Sequence, residues 1–571
     1  MASLPNSTDV LVVGAGPTGL MLAVELARRG IDYLLIDEVE APSTFIKGSV
    51  VSSRTLEIFE ELGIFEEARK LGTVVHAVVL WAEGRRAMTG DMALLDAPHA
   101  YNLHLGQPYT EQLLTTRLLS EGGSIHRQVR LADFDLQGDR VVASLEAPEG
   151  ECKLQASWIV GCDGAHSTVR QKLGFHLEGQ TYPVDYMLAN LKIEWNQPHD
   201  EIQLFFTREG SFTVNPLPDG LTQVAGDLPH EEGDNRTKTS PTLQDVQELF
   251  DRRVAIPARL YEPRRLVYYR SHRRQVVQRI MGRAILAGDA AHLVSPQTGL
   301  GMNTGLQDSW NLGWKLAAVV KGEADASILE SYQEERQAVL GPLAKMSDTD
   351  EMLYSLQSRV AQELRDHVVM AALHFEPFWR RNVKDITQIG VNYRGLSSFD
   401  EYVATPLHLP GKHIVESGRC TKAWMAFGRG PRAGERVPDA RPVTRDGISN
   451  ERLLPFSSQG RHVLLLFTAA ADPSKTVCEA LAECATLARK WLDDRVCVEL
   501  VVPSDAVPEA CRQIGVDRTV FDVERAAHDR FGALAESVYF CRCDGFVGFR
   551  SLPPNAEALG KWFDTVKFVA S

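Results

Sequence analysis

The chain has little that would direct it to nucleic acid or to a membrane. Its 571 residues carry a formal net charge of −14, so it lacks the cationic balance that proteins use to bind phosphate backbones. Residues 1–30 contain no basic stretch followed by a long apolar run, and no window approaches the roughly eighteen apolar residues needed to cross a bilayer. We therefore expect a cytoplasmic protein that binds neither nucleic acid nor membranes.

Cysteine motifs and repeats are also missing. The nine cysteines occur at irregular spacings with no CxxC pair among them, which argues for reduced thiols and against a zinc site or a redox disulfide. There is no internal repeat and no low-complexity segment. With 44% hydrophobic residues the chain can bury large cores, and its length predicts two to three domains.

The strongest pattern that is present is DVLVVGAGPTGLMLAVELARRGIDYLLIDE, residues 9–38. It predicts a strand, a glycine turn, a helix and a second strand. Gly14, Gly16 and Gly19 form GxGxxG, and Asp37 follows about twenty residues later, as in dinucleotide-binding units. Glycine permits the tight turn, the approach of a pyrophosphate and close helix packing, while the helix N-terminus offers N–H groups to the anion. Asp37 would then hold a ribose hydroxyl.

A second glycine-rich pattern, GRAILAGDAAHLVSPQTGLGMNTGLQDSWNLGWKLA, occupies residues 282–317. It predicts an apolar strand that ends at Gly288 and Asp289, a glycine-rich loop, and a helix that begins near Asn303. An acid at a strand end can bond sugar or ribityl hydroxyls. An ordinary aspartate would instead cap the short turn that follows, so the pattern alone leaves both interpretations open.

These two segments and GCDGAHSTVRQKLG, residues 161–174, resemble in the same order the three flavin-binding motifs of the class A flavoprotein monooxygenases, the para-hydroxybenzoate hydroxylase and phenol hydroxylase group. The resemblance covers roughly the first 400 residues. It implies an enzyme in which NAD(P)H, as NADPH or NADH, reduces FAD. C4a-hydroperoxyflavin formed with O2 would then hydroxylate a phenolic or polyketide-like aromatic substrate.

The resemblance also implies roles for individual residues. Asp289 would bind the ribityl and pyrophosphate region, Asp163 and Gly164 would serve both FAD and NAD(P)H, and Gln107 would contact FAD. The N–H groups of Met302 and Asn303 would face the flavin N1 and O2. The residues expected at the cofactor are Gly14, Gly16, Pro17, Thr18, Gly19, Asp37, Glu38, Lys47, Gln107, Asp163, Gly164, Asp289, Pro296, Gly299, Gly301, Met302 and Asn303.

Some positions depart from the family pattern. Lys47 stands where many members have arginine, and lysine lacks the planar bidentate fork of a guanidinium group. His166 replaces a common arginine in the segment DGAHS. The loop SPQTGLG, Ser295 to Gly301, has lost one proline and one glycine of the usual PPxGGxG. No catalytic residue and no metal ligand is assigned.

The expected fold class is α/β, with a Rossmann-like FAD-binding domain, an inserted β-sheet substrate domain and a C-terminal domain that resembles the thioredoxin-like domain of the phenol hydroxylase branch. The C-terminal Cys541 and Cys543 form only CxC, which favours a structural or dimer-forming role, so a homodimer is considered. The expected boundaries are 1–75, 102–181 and 270–400 for the FAD-binding domain, 76–101 and 182–269 for the substrate domain, and 430–571 for the C-terminal domain.

Weaker candidates remain. The histidine of GDAAH, His292, fits a structural role better than a catalytic one. The absence of a second strand-GxGxxG-helix unit disfavours reductases with two dinucleotide domains, but Baeyer-Villiger-type chemistry or a non-catalytic FAD-binding protein on the same scaffold stays open. An arginine group could meet NADPH phosphates, although a salt-bridged surface is favoured: Arg264, Arg265, Arg270, Arg273 and Arg274. Pocket candidates that fit an ordinary core equally well are Tyr101, Phe205, Phe206, Phe212, Asn215 and Gln223.

Overall fold

The computed structural model describes residues 4–46, 48–82, 84–229, 236–295, 299–354, 376–404, 419–441, 443–445, 448–453 and 460–570. The chain divides into two compact units, the first formed by Met1–Trp310 and Leu340–Gly390 and the second by Asn311–Val339 and Val391–Ser571. Within the described ranges no helix combines the length and the apolar character needed to span a membrane.

The helices, in chain order, are α1 (Pro17–Ala27), α2 (Ser53–Glu61), α3 (Phe65–Leu71), α4 (Gln107–Ser120), α5 (Thr168–Lys172), α6 (Leu243–Val254), α7 (Gly301–Val320), α8 (Ile328–Tyr354), α9 (Glu376–Ile386), α10 (Arg419–Arg429), α11 (Lys475–Leu492), α12 (Ala526–Phe531) and α13 (Ala556–Val566). The strands are β1 (Ser7–Val13), β2 (Tyr33–Asp37), β3 (Val50–Val51), β4 (Thr73–Val75), β5 (Ala77–Ala82), β6 (Arg85–Asp91), β7 (Asn102–His104), β8 (His126–Arg127), β9 (Arg130–Gln137), β10 (Arg140–Ala147), β11 (Gly150–Gly161), β12 (Glu178–Trp195), β13 (Glu201–Thr207), β14 (Gly210–Pro216), β15 (Thr222–Pro229), β16 (Ala258–Gln275), β17 (Ile280–Met281), β18 (Ala284–Leu286), β19 (His292–Leu293), β20 (Asp400–Val403), β21 (Val443–Arg445), β22 (Ile448–Glu451), β23 (His462–Phe467), β24 (Val496–Val502), β25 (Arg518–Phe521), β26 (Ser537–Cys541) and β27 (Val547–Leu552).

The first sheet of the first unit has the order β17-β18-β11-β1-β2-β8, with β10 and β9 added beside β11. β1 runs parallel to β11 and β2, and β11 runs parallel to β18. The apolar run Val10–Val13 is buried because parallel strands are covered on both faces. The carboxyl ends of β1, β2, β11 and β18 therefore meet at one edge, where the predicted motifs follow.

The second sheet has the order β19-β16-β12-β15-β14-β13-β5-β6. The two stretches in which the sequence predicts short strands, 76–101 and 182–269, thus contribute to one sheet. Helix α6 packs on one face, against a core that includes Phe205, Phe212 and Val224. The helix starts with a capping box in which Thr242 and Asp245 exchange side-chain and backbone hydrogen bonds.

The second unit has its own mixed sheet, with the order β20-β27-β26-β23-β24-β25-β21-β22. The apolar runs HVLLLF and VCVELVV form β23 and β24, and α11 lies between them in the chain. The α/β class is confirmed, while the domain boundaries and the thioredoxin-like character of the C-terminal region stay predictions. Residues 355–375 of the expected FAD-binding segment 270–400 lie outside the described ranges.

Helix α9 is anchored to the second sheet by one close contact. A Cβ atom added to Gly90 on β6 would lie 1.9 Å from Cζ2 of Trp379, so the indole occupies the space that any side chain there would need. Trp379 is buried, and its Nε1–H donates to the carbonyl of Asp91 at 3.3 Å. The absence of a side chain at Gly90 is therefore a packing requirement.

We predict that Gly90→Ala lowers the free energy of unfolding by about 1–3 kcal/mol, because the rigid indole must shift to admit the methyl group. The matched control is Gly341→Ala on α8, where nothing lies within 4 Å of the added Cβ. That change should leave stability unchanged or raise it by up to about 1 kcal/mol. Urea unfolding measures both; equal stability of Gly90→Ala and the wild type would contradict the packing argument.

Candidate cofactor and substrate site

The glycine turn after β1 is built by three different constraints. Gly14 has φ +100°, and a Cβ there would lie 2.5 Å from the carbonyl oxygen of Cys162. A Cβ on Gly19 would lie 1.8 Å from the carbonyl oxygen of Gly14, so the helix can approach the turn only without a side chain. Beside Gly16, by contrast, there is no atom within 4 Å of the Cβ position. That open space suits an approaching phosphate.

The N-terminus of α1 is prepared for an anion. Gly16 is its N-cap residue, Pro17 is the first helical residue, and no side chain caps the first turn. Free N–H groups at a helix start are otherwise satisfied by capping side chains, water or ligands. Gly16 and the first turn of α1 therefore form an open, uncapped helix start, a candidate pyrophosphate cradle that fits the role predicted from the sequence.

Asp37, at the end of β2, lies beside the glycine turn and accepts a hydrogen bond from it. Its Oδ2 accepts from the N–H of Ala15 at 2.6 Å, and its Oδ1 accepts from the N–H of Val39 at 3.0 Å. The carboxylate is half-buried, and each oxygen has a further lone pair for a hydroxyl donor. Glu38, the next residue, is exposed.

Two elements, the turn after β18 and helix α7, pack against Thr18 in the first turn of α1. Cβ atoms added to Gly288 and to Gly305 on α7 would each lie 2.5 Å from Oγ1 of Thr18. The hydroxyl of Ser309, also on α7, donates to the carbonyl of Thr18 at 2.7 Å. Two glycines thus bring the turn after β18 and the second turn of α7 onto α1, which places Asp289 near the pyrophosphate cradle.

The turn that carries Asp289 is fixed by a buried carboxylate that the sequence analysis did not single out. Oδ2 of Asp308 accepts from the N–H of Gly288 at 3.0 Å and from Nη1 of Arg279 at 3.1 Å, and it lies 2.7 Å from Nε2 of His292. Asp308, Arg279 and His292 are all at most 1% exposed, whereas Asp289 is exposed. His292 is thus a buried partner of Asp308, as its structural interpretation requires.

The segment after β11 is tied to the same turn by Arg170. Nη2 of Arg170 donates to the carbonyl of Ala165 at 2.7 Å, and Nη1 donates to the carbonyl of Ala290 at 3.1 Å. Asp163 accepts from the N–H of Val169 through Oδ2 at 3.1 Å. Its Oδ1 is buried without a hydrogen-bond partner among the described residues, and burial raises the pKa of this carboxyl. Asp163 therefore retains an acceptor for a bound hydroxyl or amide.

The side chain of Asn303 holds the first turn of α7 through three hydrogen bonds to backbone groups. Its Oδ1 accepts from the N–H of Ser52 at 2.9 Å, and its Nδ2 donates to the carbonyl of Val50 at 2.8 Å and to that of Gly299 at 3.2 Å. The side chain is therefore occupied by the protein itself. Only the N–H of Asn303 fits the predicted contact with a cofactor.

The N-terminus of α7 also faces open space. The helix begins at Gly301, two residues before the predicted start at Asn303, and no atom of the described residues lies within 4 Å of a Cβ added to Gly301. Gly299 has φ +65°, which favours glycine. The first N–H groups of a helix lack intrahelical acceptors, so the N–H groups of Gly301 and Met302 are of the type that can donate to a bound group. The predicted cofactor residues Lys47 and Pro296 lie outside the described ranges.

Gln388 forms a second brace on this turn. Its Nε2 donates to Oγ1 of Thr304 at 3.1 Å, while its Oε1 accepts from Nε2 of Gln307 at 2.7 Å and from the hydroxyl of Ser52 at 3.2 Å. All four side chains are buried. Nothing in the local sequence around Gln388 marks this role, because its partners lie about eighty residues or more away.

Segment 48–52 connects the helix start to α4 and to the second sheet. The N–H of Gln107, the first residue of α4, donates to the carbonyl of Gly48 at 2.8 Å, and Nε2 of Gln107 donates to Oε1 of Glu111 at 2.8 Å. The N–H of Leu105 donates to the carbonyl of Ser49 at 2.7 Å. The predicted cofactor residue Gln107 thus borders the same segment as Asn303.

The face of the second sheet opposite α6 is polar beside this segment. Register pairs Asn215 with Gln223, Gln223 with Asn190, and Asn190 with Arg265, so the four side chains form one row on one face. Gln223 donates to Asn190 at 3.1 Å and accepts from the hydroxyl of Ser49 at 3.3 Å. Nη1 of Arg265 donates to the carbonyl of Ile46 at 2.9 Å.

The next row on the same face is largely apolar and half-buried. It consists of Leu204, Thr213, Leu188 and Val267, together with the buried Ala225. This row and the polar row form a surface that an aromatic molecule could cover. Among the pocket candidates, Phe206, Asn215 and Gln223 share this face, whereas Phe205 and Phe212 turn toward α6 and belong to the core.

The arginines of β16 are engaged in contacts within the protein. Arg270 binds the buried Asp185 through two nitrogens, at 2.8 and 3.3 Å. Arg274 donates to the hydroxyl of Thr181 at 2.8 Å, and Arg264 lies 3.9 Å from a carboxylate oxygen of Glu262. These pairings support the salt-bridged surface that the sequence analysis favoured over a phosphate site.

A family model described as FAD binding domain matches residues 7–347. The 6-methylpretetramide 4-monooxygenase of Streptomyces rimosus is 35% identical over 360 residues, which span 62% of this chain and 64% of that protein. The rifampicin monooxygenase of Streptomyces venezuelae is 31% identical over 389 residues, 67% of this chain and 79% of that protein. The solved anhydrotetracycline hydroxylase OxyS from Streptomyces rimosus aligns with a TM-score of 0.73 at 25% identity, over 99% of this chain and 100% of that chain.

Fold, site and relatives define an FAD-dependent monooxygenase. The chain belongs to the FAD-binding domain family. The features of the site fit this cofactor: an open, uncapped helix start at Gly16, a second open helix start at Gly301, and the unpartnered buried oxygen of Asp163. The predicted cofactor FAD and the enzyme class are thereby confirmed, and the roles of the individual residues stay predictions.

We predict that Asp308→Asn raises the dissociation constant of FAD by about tenfold or more, equivalent to about 1.4 kcal/mol. The amide removes the charge that Arg279 and His292 share and weakens the hold on the turn that carries Asp289. Flavin fluorescence measures binding, and circular dichroism selects folded protein. The control is Asp139→Asn, whose side chain is 79% exposed. Equal affinity of folded Asp308→Asn and wild type would contradict the role of Asp308.

Proposed function

We propose that the protein is an aromatic hydroxylase that consumes NAD(P)H and inserts one oxygen atom of O2 into a phenolic ring of a polyketide-like substrate. The observation that carries the proposal is the half-buried face of the second sheet, which lies beside segment 48–52. Asn303 joins this segment to the first turn of α7. The names of the relatives, a 6-methylpretetramide monooxygenase and an anhydrotetracycline hydroxylase, support the substrate class. NADPH or NADH as donor, a homodimer and a cytoplasmic location stay parts of the prediction.

The residues that would hold FAD lie in three places along one edge of the first sheet. The first turn of α1 would receive the pyrophosphate, with Asp37 at the ribose. Asp289 and Asp163 would bond the ribityl region from either side of Arg170. The start of α7, with Gln107 nearby, would face the isoalloxazine. Bound there, FAD would supply two-electron redox chemistry and the activation of O2.

The chain itself would bind, orient and shield the substrate. Leu188, Leu204 and Val267 offer apolar surface for an aromatic ring, and Thr213 and Asn215 offer hydroxyl and amide groups for its substituents. An enclosed ring excludes water, which in this chemistry protects the oxygen-transfer step from loss as hydrogen peroxide. Gln223 and Asn190 would hold Ser49 and Ile46 in place during this step.

We predict that Gly301→Val lowers the reduction potential of bound FAD and slows hydride transfer. A side chain would fill the open space at the start of α7 and move the flavin away from N–H groups that stabilise negative charge on N1 and O2. Gly301→Ala should give a smaller shift in the same direction. A redox titration of FAD-loaded protein decides the matter: a folded Gly301→Val variant with the wild-type potential would contradict the proposed donor role.

The proposed activity predicts that a matching phenolic substrate raises the rate of NAD(P)H oxidation severalfold or more over the substrate-free rate. The assay screens phenols and polyketide-type polycyclic phenols, follows NAD(P)H absorbance with each nicotinamide cofactor, and records product mass. A gain of one oxygen atom on an intact ring indicates hydroxylation. Ring expansion to a lactone would indicate Baeyer-Villiger chemistry instead, and FAD binding without any stimulated oxidation would indicate a non-catalytic protein.

A further inference from the structure

The second unit brings together two cysteines that no sequence motif connects. Sγ of Cys478 and Sγ of Cys511 lie 2.7 Å apart. Cys478 belongs to the first turns of α11, and Cys511 ends a short 3-10 turn, Glu509–Cys511. Both side chains are buried, at 3% and 1% exposure. Because the two residues are 33 positions apart, spacing rules such as CxxC could not find them.

The contact is closer than packing alone provides. Non-bonded heavy atoms attract best at about 3.5–4.0 Å between carbons, and a disulfide bond measures about 2.05 Å. The two sulfurs therefore face each other inside ordinary contact distance, from two separate elements. The CxC cysteines differ: Cys541 is buried in the core of the second unit, and the N–H of Cys543 donates to Nδ1 of His462 at 3.2 Å.

We propose that Cys478 and Cys511 form an oxidisable thiol pair that closes to a disulfide under exposure to hydrogen peroxide. One thiolate attacks a peroxide oxygen, the O–O bond breaks, and a sulfenic acid and hydroxide result. The second thiolate attacks the sulfenic sulfur, an S–S bond forms, and a second hydroxide leaves. The two thiol protons convert both hydroxides to water, so two thiols give up two electrons and one peroxide yields two waters.

Burial sets the rate of this step. It raises the pKa of the Cys511 thiol to about 12, so the reactive thiolate is scarce at neutral pH. Oxidation is therefore slow compared with that of an exposed sensor cysteine. The same burial shields the closed bond from dithiol reductants, so the oxidised form accumulates during sustained exposure. It also confines the chain between the two residues and should raise the melting temperature of the oxidised protein.

A source of the oxidant follows from the proposed function, and this part of the inference rests on it. A flavin monooxygenase that turns over without substrate transfers the electrons of NAD(P)H to O2 and releases hydrogen peroxide. The fraction of protein with a Cys478–Cys511 disulfide would then rise slowly with the amount of hydrogen peroxide that the enzyme releases during turnover without substrate. The pairing of the two thiols does not depend on this source, because added peroxide serves as well.

The first arm of the test uses full-length FAD-loaded enzyme with added hydrogen peroxide. After incubation the protein is denatured in an alkylating agent without reductant, digested and analysed by mass spectrometry. We expect one cross-linked peptide that joins Cys478 to Cys511 and a free-thiol count lower by two. Cys511→Ser should abolish the cross-link and the rise in melting temperature. The matched control is Cys484→Ser, a buried cysteine on the same helix, which should retain both.

Recovery of Cys478 and Cys511 as alkylated thiols after prolonged peroxide treatment would overturn the pairing. So would a dominant cross-link between other cysteines. The second arm replaces added peroxide by NAD(P)H and air without substrate, with and without catalase. A cross-link that catalase suppresses supports the enzymatic source. A cross-link with added peroxide but none under turnover would overturn that source and leave the thiol pair standing.

Discussion

One carboxylate oxygen, Oδ2 of Asp308, positions much of the candidate cofactor site. It accepts hydrogen bonds from the N–H of Gly288 and from the guanidinium of Arg279, and it lies beside a ring nitrogen of His292. These groups are buried, where an unpaired charge would be costly. Because Asp308 lies on α7, these contacts fix the helix relative to the turn that carries Asp289. The contacts of Gly288 and Gly305 with Thr18 then fix both elements on α1. The first turns of α1 and α7 and the turn that carries Asp289 are thereby held together at one edge of the first sheet.

The second sheet is joined to this frame through Ile46 and segment 48–52. Asn303 bonds segment 48–52 from the helix side. From the sheet side Gln223 bonds Ser49, while Asn190 and Arg265 donate to the carbonyl of Ile46. The face of the sheet that packs on α6 is a closed apolar core, while the opposite face keeps a polar row and a half-buried apolar row. The candidate cofactor site and the proposed substrate surface therefore share one connecting segment, as a single reaction centre in the first unit would require.

The sequence predicted the parts of this arrangement that are local. Glycine spacing and the start of α7 to within two residues follow from turn and helix chemistry over short stretches. The strand predicted to end at Gly288 and Asp289 ends earlier, at Leu286, and a short 3-10 turn, Gly288–Ala290, carries Asp289. Asp308, Gln388 and the pair Cys478 and Cys511 could not be found in that way, because their roles arise from partners brought together by folding. The candidates Phe205 and Phe212 fell on the core face because strand alternation does not reveal which face a helix will cover. The predicted cofactor contact of Asn303 involves its backbone N–H, and the sequence did not reveal the second role of its side chain, which holds the backbone of segment 48–52.

The proposed function requires that one atom of molecular oxygen reaches an aromatic ring. Turnover under 18O2 with a substrate that stimulates NAD(P)H oxidation, followed by mass spectrometry of the product, tests this requirement. We expect one 18O atom in each product molecule, with the label absent when the reaction runs in labelled water under unlabelled O2. Oxygen derived from water, or NAD(P)H consumption that ends only in hydrogen peroxide for every stimulating substrate, would contradict it.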